Sequence, residues 1–218
     1  MVGRSGGTGL RVVEIYPSIQ GESTRAGLPC VFIRLAGCPL RCRWCDTVYS
    51  FKGGDEMSLE EICDAAAEPG ISLVELTGGE PLAHSEAPEL LKMLCDRFTE
   101  VLLETSGAFP IGDLDPRVGI IMDLKAPGSG EEDRNLLENL DHLKSGDELK
   151  LVLADREDYE WAKRLVNSHE ITVPILFSPV HGELDPALLS DWILEDKLAV
   201  RLQLQQHKFI WDPAERGR

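Results

Sequence analysis

The sequence predicts an α/β fold, an incomplete (open) β/α barrel with a mostly parallel sheet. Short apolar segments alternate with helical segments along most of the chain, which is typical of parallel strands joined by helices. We count seven such strands after a lead strand, whereas a closed eight-fold barrel usually takes about 250 residues. With 218 residues, of which 43% are hydrophobic and 28% charged, the chain can form a substantial core.

The strands are predicted from short runs rich in Val, Ile and Leu. The run 30–36 is almost wholly apolar, as expected of a strand that is buried on both faces. The run 171–177 is less regular, because Pro174 cannot donate a hydrogen bond within a sheet. The predicted strands are 11–15, 30–36, 71–76, 99–103, 118–124, 148–153, 171–177 and 200–206.

Helices are predicted between most of these strands. One begins at Ser58 and runs for about ten residues, because Ser58 and Glu61 have the spacing of a capping box. Another begins at Asp185 and Pro186 and ends at Leu194, since Asp caps helix N-termini and Pro fits the first turn. The remaining predicted helices are 86–98, 135–143 and 158–166.

No internal repeat or linker divides the chain, so we expect a single domain over residues 10–213. Residues 1–9 are rich in Gly and Ser and lack an apolar signal core, which predicts a flexible lead-in. Residues 214–218 are predicted to form a C-terminal tail.

The composition restricts the classes of partner. A net charge of −16 argues against binding to nucleic-acid phosphates. No apolar run approaches the roughly 18–20 residues that cross a membrane. Six cysteines, three of them clustered, do not resemble a secreted disulfide framework, so we expect a cytoplasmic protein with reduced thiols.

The segment 38–45, here called the cysteine loop, carries three thiols at a C-x3-C-x2-C spacing: Cys38, Cys42 and Cys45. Thiolates select zinc, copper(I) or iron–sulfur clusters. A structural zinc site usually has four protein ligands, and the chain offers no second cysteine pair. A 4Fe–4S cluster also normally takes four cysteines, so three would leave one iron open to a ligand. The spacing favours this open-iron cluster, with a zinc loop as the alternative.

Two further features point to a binding cavity. Gly78 and Gly79 follow a strand directly and would let the backbone approach a ligand closely, while Glu80 could accept bonds from an ammonium group. Arg34 interrupts an apolar strand, and a buried arginine is costly unless it is paired. We therefore expect Arg34 to face a polar cavity or an anionic ligand.

The predicted last strand has polar residues at alternate positions. This row is either the solvent-facing side of an edge strand or a polar lining of the barrel that offers amide and imidazole groups to a substrate. The turn 17–22, which presents Gln20 and Glu22, is open to the same two interpretations. The alternating residues are Arg201, Gln203, Gln205 and His207.

The cysteine loop, with Trp44 just before its last cysteine, and the Gly-Gly-Glu sequence one strand later resemble the motifs of radical S-adenosylmethionine (SAM) enzymes. The resemblance implies the radical SAM type of barrel. It also implies a 4Fe–4S cluster on Cys38, Cys42 and Cys45, whose open iron binds SAM and whose electron cleaves it to a 5′-deoxyadenosyl radical. The implied SAM-binding residues are Trp44, Gly78, Gly79, Glu80, Ser106 and Lys125.

A narrower resemblance covers the chain from the first strand nearly to the C-terminus. The stretches 20–22, 32–35, 45–47, 77–81, 104–107, 123–125 and 205–208 are similar to those of the 7-carboxy-7-deazaguanine synthase family. That family converts 6-carboxy-5,6,7,8-tetrahydropterin to 7-carboxy-7-deazaguanine with release of ammonia, on the route to 7-deazapurine nucleosides such as queuosine. SAM is regenerated in the reaction.

This resemblance implies roles for the polar residues. Mg2+ would bind the substrate carboxylate and the hydroxyl of Thr47, although a hydroxyl there could equally cap a turn. Glu22 would accept the guanidine-like edge of the pterin, and Arg34 would offset its carboxylate. The other implied substrate-binding residues are Gln20, Thr77 and His207.

The resemblance also implies a flavodoxin- or ferredoxin-type electron donor and a homodimer. Two alternatives remain open at this stage. Another small radical SAM enzyme, such as a glycyl-radical activase, would share the cysteine loop but would have no reason for the set of Gln20, Glu22 and His207. A non-catalytic zinc or redox module would bind metal without depending on SAM.

Overall fold

The computed structural model describes residues 9–212 and 216–217. These residues form one nine-stranded sheet with helices packed on one face, in the strand order β3-β1-β2-β4-β5-β6-β7-β8-β9. The strands are β1 Gly9–Ile19, β2 Pro29–Leu35, β3 Asp55–Ser58, β4 Leu73–Gly78, β5 Glu100–Thr105, β6 Gly119–Lys125, β7 Glu148–Leu153, β8 Ile175–Pro179 and β9 Arg201–Leu202.

Most of the sheet is parallel. The lead strand β1 pairs antiparallel with β2 and with β3. From β2 to β9 every neighbouring pair is parallel, and the sheet stays unclosed between its edge strands β3 and β9. The predicted α/β fold with an open, mostly parallel sheet is therefore confirmed.

The two faces of the sheet bury different side chains. In β2, Val31 and Ile33 point into the main core, which the helices cover, while Phe32 and Arg34 point to the opposite face. This alternation follows from the two-residue period of a strand. Each fully buried aliphatic side chain contributes roughly 1.5–3 kcal/mol to folding. The apolar face thus holds the sheet together, and the other face is left to line a cavity.

The helices begin where their capping residues predict. The hydroxyl of Ser58 accepts from the amide of Glu61 at 3.3 Å, and the Glu61 carboxylate accepts from the amide of Ser58 at 2.8 Å, which completes the capping box. Asp185 caps the fourth helix by accepting from the amide of Ala187 at 2.9 Å. The helices are α1 Leu59–Ala67, α2 Ala87–Arg97, α3 Arg156–Ser168, α4 Pro186–Asp196 and α5 His207–Ile210.

The helix predicted over 135–143 is wrong, because the segment forms only a 3-10 helix over Leu137–His142. The side chain of Asn135 is bonded to both backbone groups of Lys125, at 2.9 Å each. The side-chain amide of Asn139 donates to the carbonyls of Gly107 and Phe109. Asparagine side chains that bond the backbone elsewhere compete with a regular α-helix.

Four strands differ clearly from their predictions. The lead strand β1 is longer than the predicted 11–15, and the strand predicted over 171–177 begins only at Ile175, after Pro174, and ends at Pro179. Asp55–Ser58 (β3) was not predicted, because its acidic, polar residues carry no apolar pattern and it lies at the sheet edge. The strand predicted over 200–206 contains only Arg201 and Leu202. Beyond Leu202 the chain leaves the sheet, turns and forms α5. The predicted strand alternation, which would place the polar residues of 201–207 on one face, is therefore not formed.

Some predictions concern residues outside the described part of the chain. The lead-in 1–9 lies outside it except for Gly9, which begins β1, and the tail 214–218 lies outside it except for Arg216 and Gly217. Within the described part, no helix has the length and apolar character needed to cross a membrane.

Candidate active site

A cavity of about 680 Å3 opens at the carboxyl ends of the parallel strands. This is the end at which α/β barrels carry their chemistry. The cysteine loop leaves the end of β2 and forms part of the wall. Of the site residues predicted from the sequence, the cavity is lined by Gln20, Glu22, Arg34, Cys38, Cys42, Trp44, Cys45, Thr47, Thr77, Gly78, Gly79, Ser106, Lys125 and His207.

The cysteine loop is fixed by its own arginines. Arg41 donates to the carbonyl oxygens of Cys38 and Leu40, at 2.7 and 2.6 Å, and its guanidinium lies 4.3 Å from the ring centre of Phe51. The amide of Arg43 donates to the carbonyl of Ser129 at 3.0 Å. These bonds hold the loop in a conformation in which all three cysteines reach the cavity.

The three thiols suit a multinuclear cluster. Burial raises the pKa of Cys38 and raises that of Cys42 to about 11, so three neighbouring thiolates need a cationic centre to hold them. The His, Cys, Asp and Glu side chains of the described residues form no preassembled group that would hold a metal ion. The three thiols instead share a cavity large enough for a bulkier group. Their chemistry fits a 4Fe–4S cluster.

The two glycines of the Gly-Gly-Glu motif bring β4 against the cysteine loop. A Cβ at Gly78 would lie inside 3.0 Å of backbone atoms of Leu35, and Gly78 has a φ of +138°. A Cβ at Gly79 would lie inside 3.0 Å of the carbonyl of Gly37. In the structure these glycines allow two segments of the chain to touch, and both also line the cavity in which we expect a ligand.

The side chain of Glu80 does not line the cavity among the described residues, which sets it apart from the other predicted site residues. Its carboxylate is fully buried and accepts from the amide of Leu82 at 2.9 Å, the hydroxyl of Thr105 at 2.9 Å and the amide of Ser106 at 2.7 Å. Glu80 therefore fixes the end of β5. Ser106, which follows β5 directly, lines the cavity from this fixed position.

Charged side chains that the sequence reasoning missed form the floor of the cavity. Lys150 on β7 contacts Glu104 on β5, Glu22 at 2.9 Å and Asp123 at 3.5 Å. Lys125 pairs with Asp123 at 3.1 Å. Lys150 could have been found from the sequence, because it interrupts the apolar run 149–153 in the same way that Arg34 interrupts its strand. Lys150 and Glu104 thus belong to the site.

These contacts shift the pKa values of Glu104 and Lys150. Burial alone would raise the pKa of Glu104, but Lys150 and a bond from Thr77 at 3.0 Å hold it at about 2. Burial would lower the pKa of Lys150, yet the carboxylates of Glu104, Glu22 and Asp123 hold it well above its usual value. Both side chains are therefore ionised at neutral pH.

Asp123 has one carboxylate oxygen without a partner. Its Oδ2 contacts Lys125 and Lys150, whereas its buried Oδ1 has no hydrogen-bond partner among the described residues. A buried acceptor left unpaired is costly. The Asp123 residue lines the cavity beside Lys125 and Lys150, but its Oδ1 atom is enclosed by the protein.

Gln20 and Glu22 are held in place on one side of the cavity. The amide nitrogen of Gln20 donates to the Glu75 carboxyl group, and its amide oxygen accepts from the backbone of Glu22 at 2.9 Å. Burial and the neighbouring charge of Glu104 raise the pKa of Glu75 well above its usual range. Gln20 therefore positions Glu22 as well as facing the cavity.

Arg34 faces the cavity but is already paired, as its burial led us to expect. Its Nε donates to Glu14 at 2.7 Å and its Nη2 to the hydroxyl of Tyr16 at 2.8 Å. The hydroxyl of Tyr49 also donates to Glu14, at 2.8 Å. The charge of Arg34 is thus largely compensated within the protein.

The segment 205–208 closes the cavity beside the turn that carries Glu22. Gln205 donates to Glu22 at 2.8 Å, the amide of Gln206 donates to the carbonyl of Gly21 at 2.9 Å, and Lys208 pairs with Asp46 at 2.8 Å. His207 packs so tightly on Gly21 that a Cβ there would lie 3.0 Å from the His207 amide nitrogen. The segment reaches the cavity by a turn and a short helix.

The predicted polar row of the last strand is only partly brought to the site. Gln205 and His207 line the cavity. Gln203 is buried and donates to the carbonyl of Leu204, and Arg201 is exposed on β9. Arg201 thus fits the interpretation of a solvent-facing edge strand, whereas Gln205 and His207 fit that of a cavity lining. The strand ends at Leu202, so the four side chains do not share one face.

Comparison with known proteins agrees with this geometry. The Radical SAM superfamily model matches residues 32–116. A 7-carboxy-7-deazaguanine synthase from Chlorobaculum tepidum is 47% identical over 213 residues, covering 95% of this chain and 97% of that protein. One from Koribacter versatilis is 43% identical, covering 95% and 100% of the two chains.

Among solved structures, QueE from Escherichia coli is similar with a TM-score of 0.76 and 23% identity. The match covers 93% of this chain and 96% of that one, which supports the shared fold. Identity above 40% to relatives over nearly their whole length shows the family directly. The chain belongs to the 7-carboxy-7-deazaguanine synthase family of the radical SAM superfamily.

Proposed function

We propose that the chain converts 6-carboxy-5,6,7,8-tetrahydropterin to 7-carboxy-7-deazaguanine with release of ammonia. One observation carries this proposal: a single cavity holds both the three thiols of the cysteine loop and the polar set of Gln20, Glu22 and His207. The names of relatives that span nearly the whole chain support the same reaction. A glycyl-radical activase would share the thiols but would have no use for the polar set.

Membership of the radical SAM superfamily implies a 4Fe–4S cluster and SAM. Together the bound cluster and SAM supply one-electron hydrogen-abstraction chemistry at the substrate. The chain's own contribution is to hold and orient: Cys38, Cys42 and Cys45 hold the cluster. Ser106, Lys125 and the backbone at Gly78 and Gly79 line the space beside it, with Trp44 in the same wall.

Glu80 enters this proposal as a positioning residue. We expected its carboxylate to bind the amino group of SAM, but the carboxylate is used by Leu82, Thr105 and Ser106. Its role is to fix the Ser106 backbone.

The pterin would bind across the floor of the cavity. Glu22 would accept the N–H donors of its guanidine-like edge, and Gln20, Thr77 and His207 would contact other polar groups of the ring. Arg34, whose charge is shared with Glu14, would offset its carboxylate only in part, together with a Mg2+ ion at Thr47. The hydroxyl of Thr47 lies 3.7 Å from the sulfur of Cys45, and oxygen is the ligand type that Mg2+ prefers.

The proposal extends to partners and location. A flavodoxin- or ferredoxin-type protein would supply the electron, two copies of the chain would form a homodimer, and the cytoplasm would keep the thiols reduced.

The test uses anaerobically reconstituted protein with dithionite, SAM and 6-carboxytetrahydropterin, with and without Mg2+. Chromatography should detect 7-carboxy-7-deazaguanine, more of it with Mg2+, and Cys42→Ala should abolish it. Cys95→Ala is the matched control, because Cys95 packs against the core away from the cavity. 5′-Deoxyadenosine without this product would move the search to another substrate. Bound zinc in place of iron would overturn the enzyme proposal.

A further inference from the structure

Lys150 is the most unusual side chain of the cavity. It lies in the middle of β7, where its neighbours Leu149 and Leu151 are fully buried in the main core. Its own side chain turns to the other face and is only 4% exposed. A buried ammonium group is costly unless it is paired and hydrogen-bonded. The position therefore needs an explanation that sheet packing does not provide.

The partners of Lys150 come from three different elements. Glu22 lies in the turn after β1, Glu104 on β5 and Asp123 on β6, and each offers a carboxylate oxygen to the ammonium group. Two of the three N–H donors of Lys150 bond Glu22 and Glu104, and Asp123 lies within ion-pair distance at 3.5 Å. Lys150 thus joins parts of the cavity that no backbone ladder connects directly, because β5 and β7 are not adjacent.

Glu22 depends on Lys150 for its position. One of its oxygens accepts from Lys150 at 2.9 Å and the other from Gln205 at 2.8 Å. An ionised carboxylate has about four acceptor sites, so Glu22 keeps capacity for a ligand that donates N–H groups. Without Lys150, Glu22 would face the charges of Glu104 and Asp123 with no cation between them.

The net charge of Lys150, its three carboxylate partners and Lys125 also bears on which ligand can bind. The three carboxylates around Lys150 face two nearby ammonium groups, those of Lys150 and Lys125. One negative charge remains uncompensated. A guanidine-like edge, which donates hydrogen bonds and accepts few, is complementary to this group.

We propose that Lys150 is a positioning residue for pterin binding, which acts by holding the carboxylate of Glu22 in the orientation that accepts the substrate's N–H donors. This inference rests on the proposed function. Lys150 itself does not touch the reacting atoms. Its removal should therefore weaken pterin binding more than it slows the chemical step.

The variant Lys150→Met keeps the length of the side chain and removes its charge. We expect KM for 6-carboxytetrahydropterin to rise by about tenfold or more, with kcat reduced by less than about threefold. Iron content should stay within about twofold of wild type, since the ion pairs of Lys150 are with Glu22, Glu104 and Asp123 and not with the cysteine loop. Lys144→Met is the matched control, because Lys144 pairs with Asp147 outside the cavity.

A double-mutant cycle with Glu22→Gln separates positioning from general stability. If Lys150 acts through Glu22, adding Lys150→Met to Glu22→Gln should raise KM by no more than about twofold further. Fully additive effects, or a wild-type KM in Lys150→Met, would overturn the inference. Should Lys150→Met fail to load iron, Lys150→Gln is judged by the same criteria. Failure of the wild-type protein to form 7-carboxy-7-deazaguanine would instead refute the proposed function, and this inference with it.

Discussion

Replacing Gly79 by Ala should displace the cysteine loop. The added Cβ would lie inside 3.0 Å of the Gly37 carbonyl and 3.0 Å from the Cβ of Cys38, whereas ordinary contacts are 3.4–4 Å. The obstacle is backbone, which cannot swing aside, so the two segments must separate by about 1 Å. Overpacking of this kind costs about 1–3 kcal/mol. Because Cys38 lies in the displaced segment, we expect the variant to lose more than about half of its iron.

The matched control is Gly70→Ala. Gly70 has a φ of +67° and open space around its position, so its variant suffers backbone strain without a collision. That strain costs about 1–2 kcal/mol, which is similar to the expected cost at Gly79. Iron and sulfide content after anaerobic reconstitution, together with urea unfolding, should show equal loss of stability but loss of iron only in Gly79→Ala. Full iron content in Gly79→Ala would refute the claim that the glycine sets the loop.

Three further predictions concern single side chains. Glu80→Gln removes an acceptor from the Ser106 amide, so the Kd of SAM should rise by about tenfold in equilibrium binding, with iron content unchanged; unchanged affinity would contradict the positioning role. Asn139→Leu removes the side-chain partner of the Ile111 amide and the Phe109 carbonyl and should lower the free energy of unfolding by about 1–3 kcal/mol in urea; a loss below about 0.5 kcal/mol would count against it. Burial lowers the pKa of His207, so the unfolded chain binds the proton first and stability should fall as pH drops below about 6.5. His207→Gln should weaken this dependence in pH-dependent unfolding, and His169→Gln should not.

Local sequence signals predicted the elements whose determinants lie within a few residues. The capping box of Ser58 and Glu61 predicted the start of α1 correctly, because both partners lie within one turn. The segment 135–143 failed because the partners of Asn135 and Asn139 are backbone groups ten or more residues away. A helical sequence pattern carries no information on such distant hydrogen-bond partners, and here these partners determined the local conformation.

The residues of the site were also predicted only in part from the sequence. The cysteine spacing and the two glycines of the Gly-Gly-Glu sequence identified residues that line the cavity, whereas Glu80 does not line it. Lys150 and Glu104 were missed as a pair, because their contact depends on the sheet order that places β5 and β7 on either side of β6. The buried lysine was visible in the sequence, but its partners were not.

The pairing of Arg34 bears on the proposed role of a divalent ion. An arginine that is free of internal partners would offset a substrate carboxylate by itself. Arg34 instead is compensated by Glu14 and bonded to Tyr16, so little of its charge remains for a ligand. The carboxylate end of the pterin would then enter a cavity whose floor already carries an uncompensated negative charge around Lys150. Mg2+ at Thr47 would supply the missing positive charge, which makes the proposed ion a consequence of the way the cavity's own charges are paired.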